Sequence, residues 1–210
     1  MIDGLGSKAT TTTILILADN GTPSNLLQPP YVGGSVQNGG HGKGSIFEQG
    51  IRVPFIAGGY MVADQGVHEG VVSTADIWRT VADLAGASPG IGGDDSVSLY
   101  DILQNPQLMP PRMVFSQIFR PNGLYDFVPP QDSLPLPQVN VRAMIGMEFK
   151  FIRATYNTPG QPSIVQEGAF HLVDSSLDPL DPAECNPLPV SFDPEIQALK
   201  NAMIALCGDL

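Results

Sequence analysis

An aspartate, an asparagine and a lysine are the residues of this chain best suited to chemistry. Asp19 and Asn20 come just after the apolar run Ile14-Leu15-Ile16-Leu17, with Ala18 between. A carboxylate and an amide oxygen side by side suit a hard cation such as Ca2+ or Mg2+. Gly21 lets the backbone turn away behind them. Asn-Gly is also a common turn dipeptide, so the triplet alone does not separate a metal site from an ordinary turn. Lys43 stands in a second glycine-bearing segment, His41-Gly42-Lys43-Gly44-Ser45. A lysine there either holds an anion or is a solvated charge. His41 either donates to the same anion or simply occupies the loop.

An anionic substrate would need such a local positive device. The chain carries 21 acidic residues against 10 Lys and Arg, a net charge of −11. That surface repels phosphate backbones, so no nucleic-acid partner is expected. No apolar run approaches the roughly eighteen residues of a membrane span, and no membrane partner is expected either. Met1 is not followed by a signal-peptide pattern. The spacing of Cys185 and Cys207 leaves open whether they pair. Apolar residues make up 42% of the 210, enough for a core, and 23 Gly with 20 Pro imply long loops between short elements.

Several elements are needed to position these residues. Ile14–Leu17 is a continuous apolar run bounded by a turn, which predicts a strand buried on both faces of a parallel sheet. Val53–Ala57 predicts a second, with Pro54 near its start. A helix is predicted over 74–85, capped by Ser73 or Thr74, with Asp76 favouring its positive end. Ile77, Trp78, Val81, Leu84 and Ala85 would form its buried stripe, and Gly86 would stop it. On either side of the Pro-rich stretch 121–137, near which the boundary is placed, Arg112–Phe119 and then Val141–Ile145, Phe149–Arg153 and Phe170–Val173 predict a small antiparallel sheet, with Gly146–Glu148 as a hairpin turn. Asp193 and Pro194 open a last helix with Ile196, Leu199, Met203 and Leu206 on its buried stripe and Gly208 at its end.

The block Gly42-Lys43-Gly44-Ser45-Ile46-Phe47-Glu48-Gln49-Gly50-Ile51-Arg52-Val53-Pro54 resembles the sulfatase family, of the alkaline phosphatase-like superfamily. That family has a buried strand ending in Asp-Asn-Gly, a variable loop, and then Gly-Lys-Gly-(Thr/Ser)-x-(Tyr/Phe)-Glu-x-Gly-(Ile/Val)-Arg-Val-Pro. Val71–Gly86, Asp95–Leu99, Lys150–Arg153 and Phe170–Asp174 resemble further family segments in the same order. The resemblance is weakest over 121–140 and 157–168.

The resemblance implies a fold and a function. The fold is α/β, the C-terminal part of an alkaline phosphatase-like mixed sheet sandwiched by helices, over residues 1–110. Residues 111–210 would form a small subdomain of antiparallel strands and one helix. Asp19 and Asn20 would be metal ligands, usually to Ca2+. Lys43 would hold the sulfate of a sulfate ester and serve catalysis; His41 matches no catalytic residue of the family. Glu48 and Arg52 would brace the turn as a structural pair. The loop 22–42 would shape the substrate pocket. The family is periplasmic, secreted or lysosome-like.

The family's nucleophile is a formylglycine made in a Cys/Ser-x-Pro-x-Arg block. These 210 residues hold no such block; Cys185-Asn186-Pro187-Leu188-Pro189 lacks the arginine and reads as a loop. The acids Asp174, Asp178, Asp181 and Glu184 lack EF-hand spacing and read as a solvated loop. The chain is therefore expected to be a fragment, partnered by a missing N-terminal half, inactive alone and poorly soluble. Two other readings stand: a phosphodiesterase or phosphonate hydrolase of the same superfamily, or a non-catalytic remnant acting as an interaction module. Asn20, where many phosphodiesterase relatives show His, leans toward sulfatase.

Overall fold

A computed structural model describes residues 2–27, 42–63, 65–88, 93–120, 138–157, 160–172, 188 and 193–207. The fold is mixed α/β, with a two-stranded antiparallel sheet, a four-stranded antiparallel sheet and a C-terminal helix. The chain divides into two compact units. One joins Met1–Asp19 to Pro54–Arg112; the other joins Asn20–Val53 to Met113–Leu210.

In the first unit, β1 (Thr13–Leu17) pairs with β2 (Phe55–Gly59), and the two run antiparallel, not parallel as expected. Nor is β1 buried on both faces. Ile16 and its register partner Ile56 are 48% and 58% exposed, on the same face. A continuous apolar run has no periodicity, so it carries no information on direction or on which face is covered.

α2 (Asp76–Leu84) forms where expected and ends at Gly86, which takes φ 63°. Its buried face is not the predicted apolar stripe. Trp78 is 57% exposed and Val81 is exposed too, while Asp76 and Thr80 are fully buried. Hydrogen bonds hold that face. The Val97 N–H donates to Asp76 Oδ1 (2.9 Å) and the Leu99 N–H to Thr80 Oγ1 (2.8 Å). Arg112 grips the Asp76 carboxylate through both terminal nitrogens, at 2.7 and 3.2 Å. Ala75 is the N-cap residue and makes no side-chain cap bond, but Ser73 just before it closes a reciprocal pair: its Oγ accepts the Ala75 N–H at 3.2 Å and its own N–H donates to Asp76 Oδ2 at 2.7 Å. A short helix α3 (Tyr100–Gln104) follows.

In the second unit, α1 (Glu48–Ile51) is a single helical turn. The four-stranded sheet runs β3 (Val114–Arg120), β4 (Gln138–Ile145), β5 (Phe149–Asn157) and β6 (Ile164–His171), in sequence order. The last two strands are longer than their apolar runs predict, because ladder pairing continues past them through Thr155↔Val165 and Tyr156↔Ile164. The β4–β5 hairpin turns at Gly146–Glu148 as predicted, with the Gly146 N–H on Phe149 O.

α4 (Pro194–Cys207) starts at Asp193, whose Oδ1 accepts the Glu195 N–H at 2.8 Å. Such a cap contributes about 1 kcal/mol. Ile196, Leu199 and Met203 are buried against Met144, Phe149, Phe151 and Ala169, whereas Leu206 is exposed. The opposite face of the sheet buries Ile46 against Ala143, Ile152 and Phe170. Successive residues of a strand face opposite ways, so β5 serves both cores, Phe151 on one side and Ile152 on the other. The predicted end at Gly208 lies outside the described residues, as do Cys185 and the acidic segment 174–184.

Candidate functional site

The segment after β1 packs on the loop that carries Lys43. Three backbone hydrogen bonds join them. The Gly21 N–H donates to Gly50 O (3.1 Å), the Thr22 N–H to Gln49 O (2.7 Å) and the Lys43 N–H to Thr22 O (2.7 Å). The Thr22 hydroxyl adds a bond to Gln49 Oε1 at 3.2 Å. Two segments distant in sequence are thus clasped side by side.

Glycine is required at the contact. A Cβ on Gly50 would lie 2.6 Å from Gly42 O and from Ser45 O. A Cβ on Gly21 would overlap the Gln49 carbonyl. Gly21 takes no positive φ. Its role is close approach of two backbones, not the sharp turn that its position after Asn20 suggests.

The loop is anchored from beneath. Ile46 and Ser45 are buried, and Ile46 enters the core of the sheet. Lys150 of β5 is fully buried; its Nζ lies 2.6 Å from Glu48 Oε1 and 3.0 Å from Ile46 O. The expected Glu48–Arg52 pair is present at 3.9 Å, with Arg52 largely exposed. Exposed pairs of that length contribute little. Glu48 therefore pairs with Arg52 as expected and, more closely, with the buried Lys150, a partner not expected from the sequence. A lone lysine between Phe149 and Phe151 was the available signal.

The candidate residues stand as follows. Lys43 is exposed, its backbone held by Thr22. Asn20 is half-buried at the start of the second unit, and Asp19 is exposed at the end of the first segment of the other unit. His41 lies outside the described residues, as does most of the loop 22–42. Asp19 and Asn20 are hard oxygen donors of the kind Ca2+ takes, but two oxygens fall short of the six to eight it needs. Among the described residues, no group of three or more His, Cys, Asp or Glu stands together as a metal cage. The donors fit the ion in kind and not in number.

No protein-family model, no curated protein and no solved structure matches this chain.

Proposed function

We propose that the chain is the C-terminal part of a sulfatase-type hydrolase acting on sulfate esters, within an alkaline phosphatase-like α/β sandwich. The observation that carries this reading is the clasp of Gly21–Thr22 on Lys43 and Gln49–Gly50. It holds Gly21 and Thr22, which directly follow Asn20, against the Gly-Lys-Gly loop, and the resemblance ties the residues before Gly21 and that loop to one anion site. In this reading the Lys43 ammonium binds a sulfate oxygen and opposes the negative charge that moves to the leaving oxygen as the ester bond breaks. Lys150, through Glu48 and Ile46, holds the loop still while it does so. By the resemblance, Asp19 and Asn20 would each offer an oxygen ligand to a Ca2+ or Mg2+ ion, which would supply positive charge at the sulfate. The remaining ligands and the formylglycine nucleophile come from outside these 210 residues.

A second reading rests on one specific observation. Cys/Ser-x-Pro-x-Arg does not occur in the 210 residues, which favours a non-catalytic interaction module as a description of the isolated chain.

The test is the coding sequence on the 5′ side of Met1, followed by aryl-sulfate turnover by the protein it encodes. An in-frame Cys- or Ser-x-Pro-x-Arg block is expected, with Lys43→Ala lowering kcat/KM by about 100-fold or more, as for loss of one charge-stabilising donor. Turnover of phosphate diesters in place of sulfate esters would move the chain to the phosphodiesterases. A stop codon with no such block, and no turnover, would leave the interaction module.

A further inference from the structure

A polar row crosses the four-stranded sheet on the face that α4 covers. Gln117, Arg142, Arg153 and Glu167 are successive register partners on β3, β4, β5 and β6. Two residues along each strand lies the apolar row Phe115, Met144, Phe151 and Ala169, which forms the core beneath α4. Side chains two apart share a face, so both rows point the same way. Lys200 of α4 confirms the placement, with its Nζ 2.6 Å from Glu167 Oε2 and 5.9 Å from the Phe151 ring centroid.

The row sets two arginines directly opposite each other. Like charges at opposed positions of an antiparallel pair repel. Arg153 has Glu167 on its far side, at 3.8 Å, and Glu167 is drawn closer to Lys200. Arg142 has no such relief among the described residues, and its Nε is buried there without a hydrogen-bond acceptor. Its neighbour on β3, Gln117, spends its amide N–H on Asn140 Oδ1 at 3.0 Å. A buried donor on a charged group, left unsatisfied, carries the full cost of its lost hydration. In a chain of net charge −11, a guanidinium with no carboxylate beside it among the described residues is unusual, since acids outnumber bases about two to one.

We propose that Arg142, with Arg153 opposite it, forms a binding site for a small oxyanion, a phosphate or sulfate group. The guanidinium fork matches such an anion through two parallel N–H donors. The anion supplies the acceptor that Arg142 Nε lacks and cancels the repulsion between the two arginines. Arg142 is half-buried, so its terminal nitrogens remain within reach of a ligand. This site is separate from Lys43, which lies in the segment packed on the opposite face of the sheet.

The test is thermal unfolding of the whole chain in millimolar sulfate or phosphate, with ionic strength held constant by sodium chloride. A saturable rise in Tm is expected with either anion. Arg142→Gln should weaken the apparent affinity about tenfold or more, the loss expected for one charge-assisted hydrogen bond. Arg142→Glu should abolish the anion effect while matching or exceeding the anion-free Tm of the parent, because a carboxylate then faces Arg153. Lys43→Ala should leave the effect intact. The proposal is overturned if neither anion raises Tm, if the rise persists in both Arg142 variants, or if Lys43→Ala alone removes it. That last result would assign the anion to the Gly-Lys-Gly loop.

Discussion

The Lys150 ammonium lies 2.6 Å from the Glu48 carboxylate and is fully buried, beneath the turn that begins at Glu48. A strand of the sheet thereby holds the exposed Lys43 loop from below. Removing one partner of a buried pair strands the other charge, and breaking such pairs costs about 3–5 kcal/mol. Glu48 keeps some solvent contact, so Lys150→Met should fall near the lower end, about 3 kcal/mol, in urea denaturation. The double variant Lys150→Met/Glu48→Gln should cost less than the sum of the single variants. Strict additivity would mean that the two residues do not act as a pair.

Asp76 is the corresponding node of the first unit. Its carboxylate accepts from the Ser73 and Val97 backbones and from Arg112. Asp76→Ala leaves two N–H groups and a guanidinium without their acceptor, and should cost about 3–5 kcal/mol. Trp78→Ala, two residues on and exposed, should cost under about 1 kcal/mol. Guanidinium denaturation of both variants checks this, and a larger loss at Trp78 would restore the apolar stripe as the packing face.

Gly50→Ala should open the clasp. Its new methyl would sit 2.6 Å from two carbonyl oxygens, so the backbone must shift, at a cost of about 1–3 kcal/mol. Amide hydrogen exchange is the measurement. The Lys43 N–H, bonded to Thr22 O, should exchange faster in Gly50→Ala, while Phe151 in the sheet keeps its protection. Unchanged protection at Lys43 would show that the loop is held by Ile46 and Lys150 alone.

The β1–β2 ribbon should drive self-association. Two-stranded ribbons are marginal alone, and Thr13–Leu17 carries no charge or proline to blunt its outer edge. Ile16→Lys with Ile56→Glu places opposite charges at opposed, exposed positions. The pair should raise the concentration at which light scattering detects aggregates, with a stability change within about 1 kcal/mol. Aggregation at the same concentration would put the sticky surface elsewhere.

Features whose determinants lie within a few residues could be read without coordinates. Asp193-Pro194 and the spacing of Ile196, Leu199 and Met203 announce α4 and its buried face. Gly146–Glu148 announces a hairpin, and alternation in β4 and β5 announces a sheet. Cap chemistry, helical period and strand period are local, and the chain states them directly.

Long-range partnerships were decided by the tertiary structure. Lys150 and Ile46 are 104 residues apart, and no local pattern could choose Lys150 over nearby Arg52 as the anchor of Glu48. The direction of β1 against β2 was equally hidden, because an unbroken apolar run reads the same in either orientation. α2 leaves Trp78 and Val81 of its apolar stripe exposed, while hydrogen bonds from residues 97 and 99 claim Asp76 and Thr80 as its buried face. The types and order of Asp19, Asn20 and Lys43 were legible in the chain; that Thr22, two residues past Asn20, grips the Lys43 backbone was not. Residue types set what each side chain is able to do. Which of them meet depends on packing and hydrogen bonding among segments that are remote in sequence.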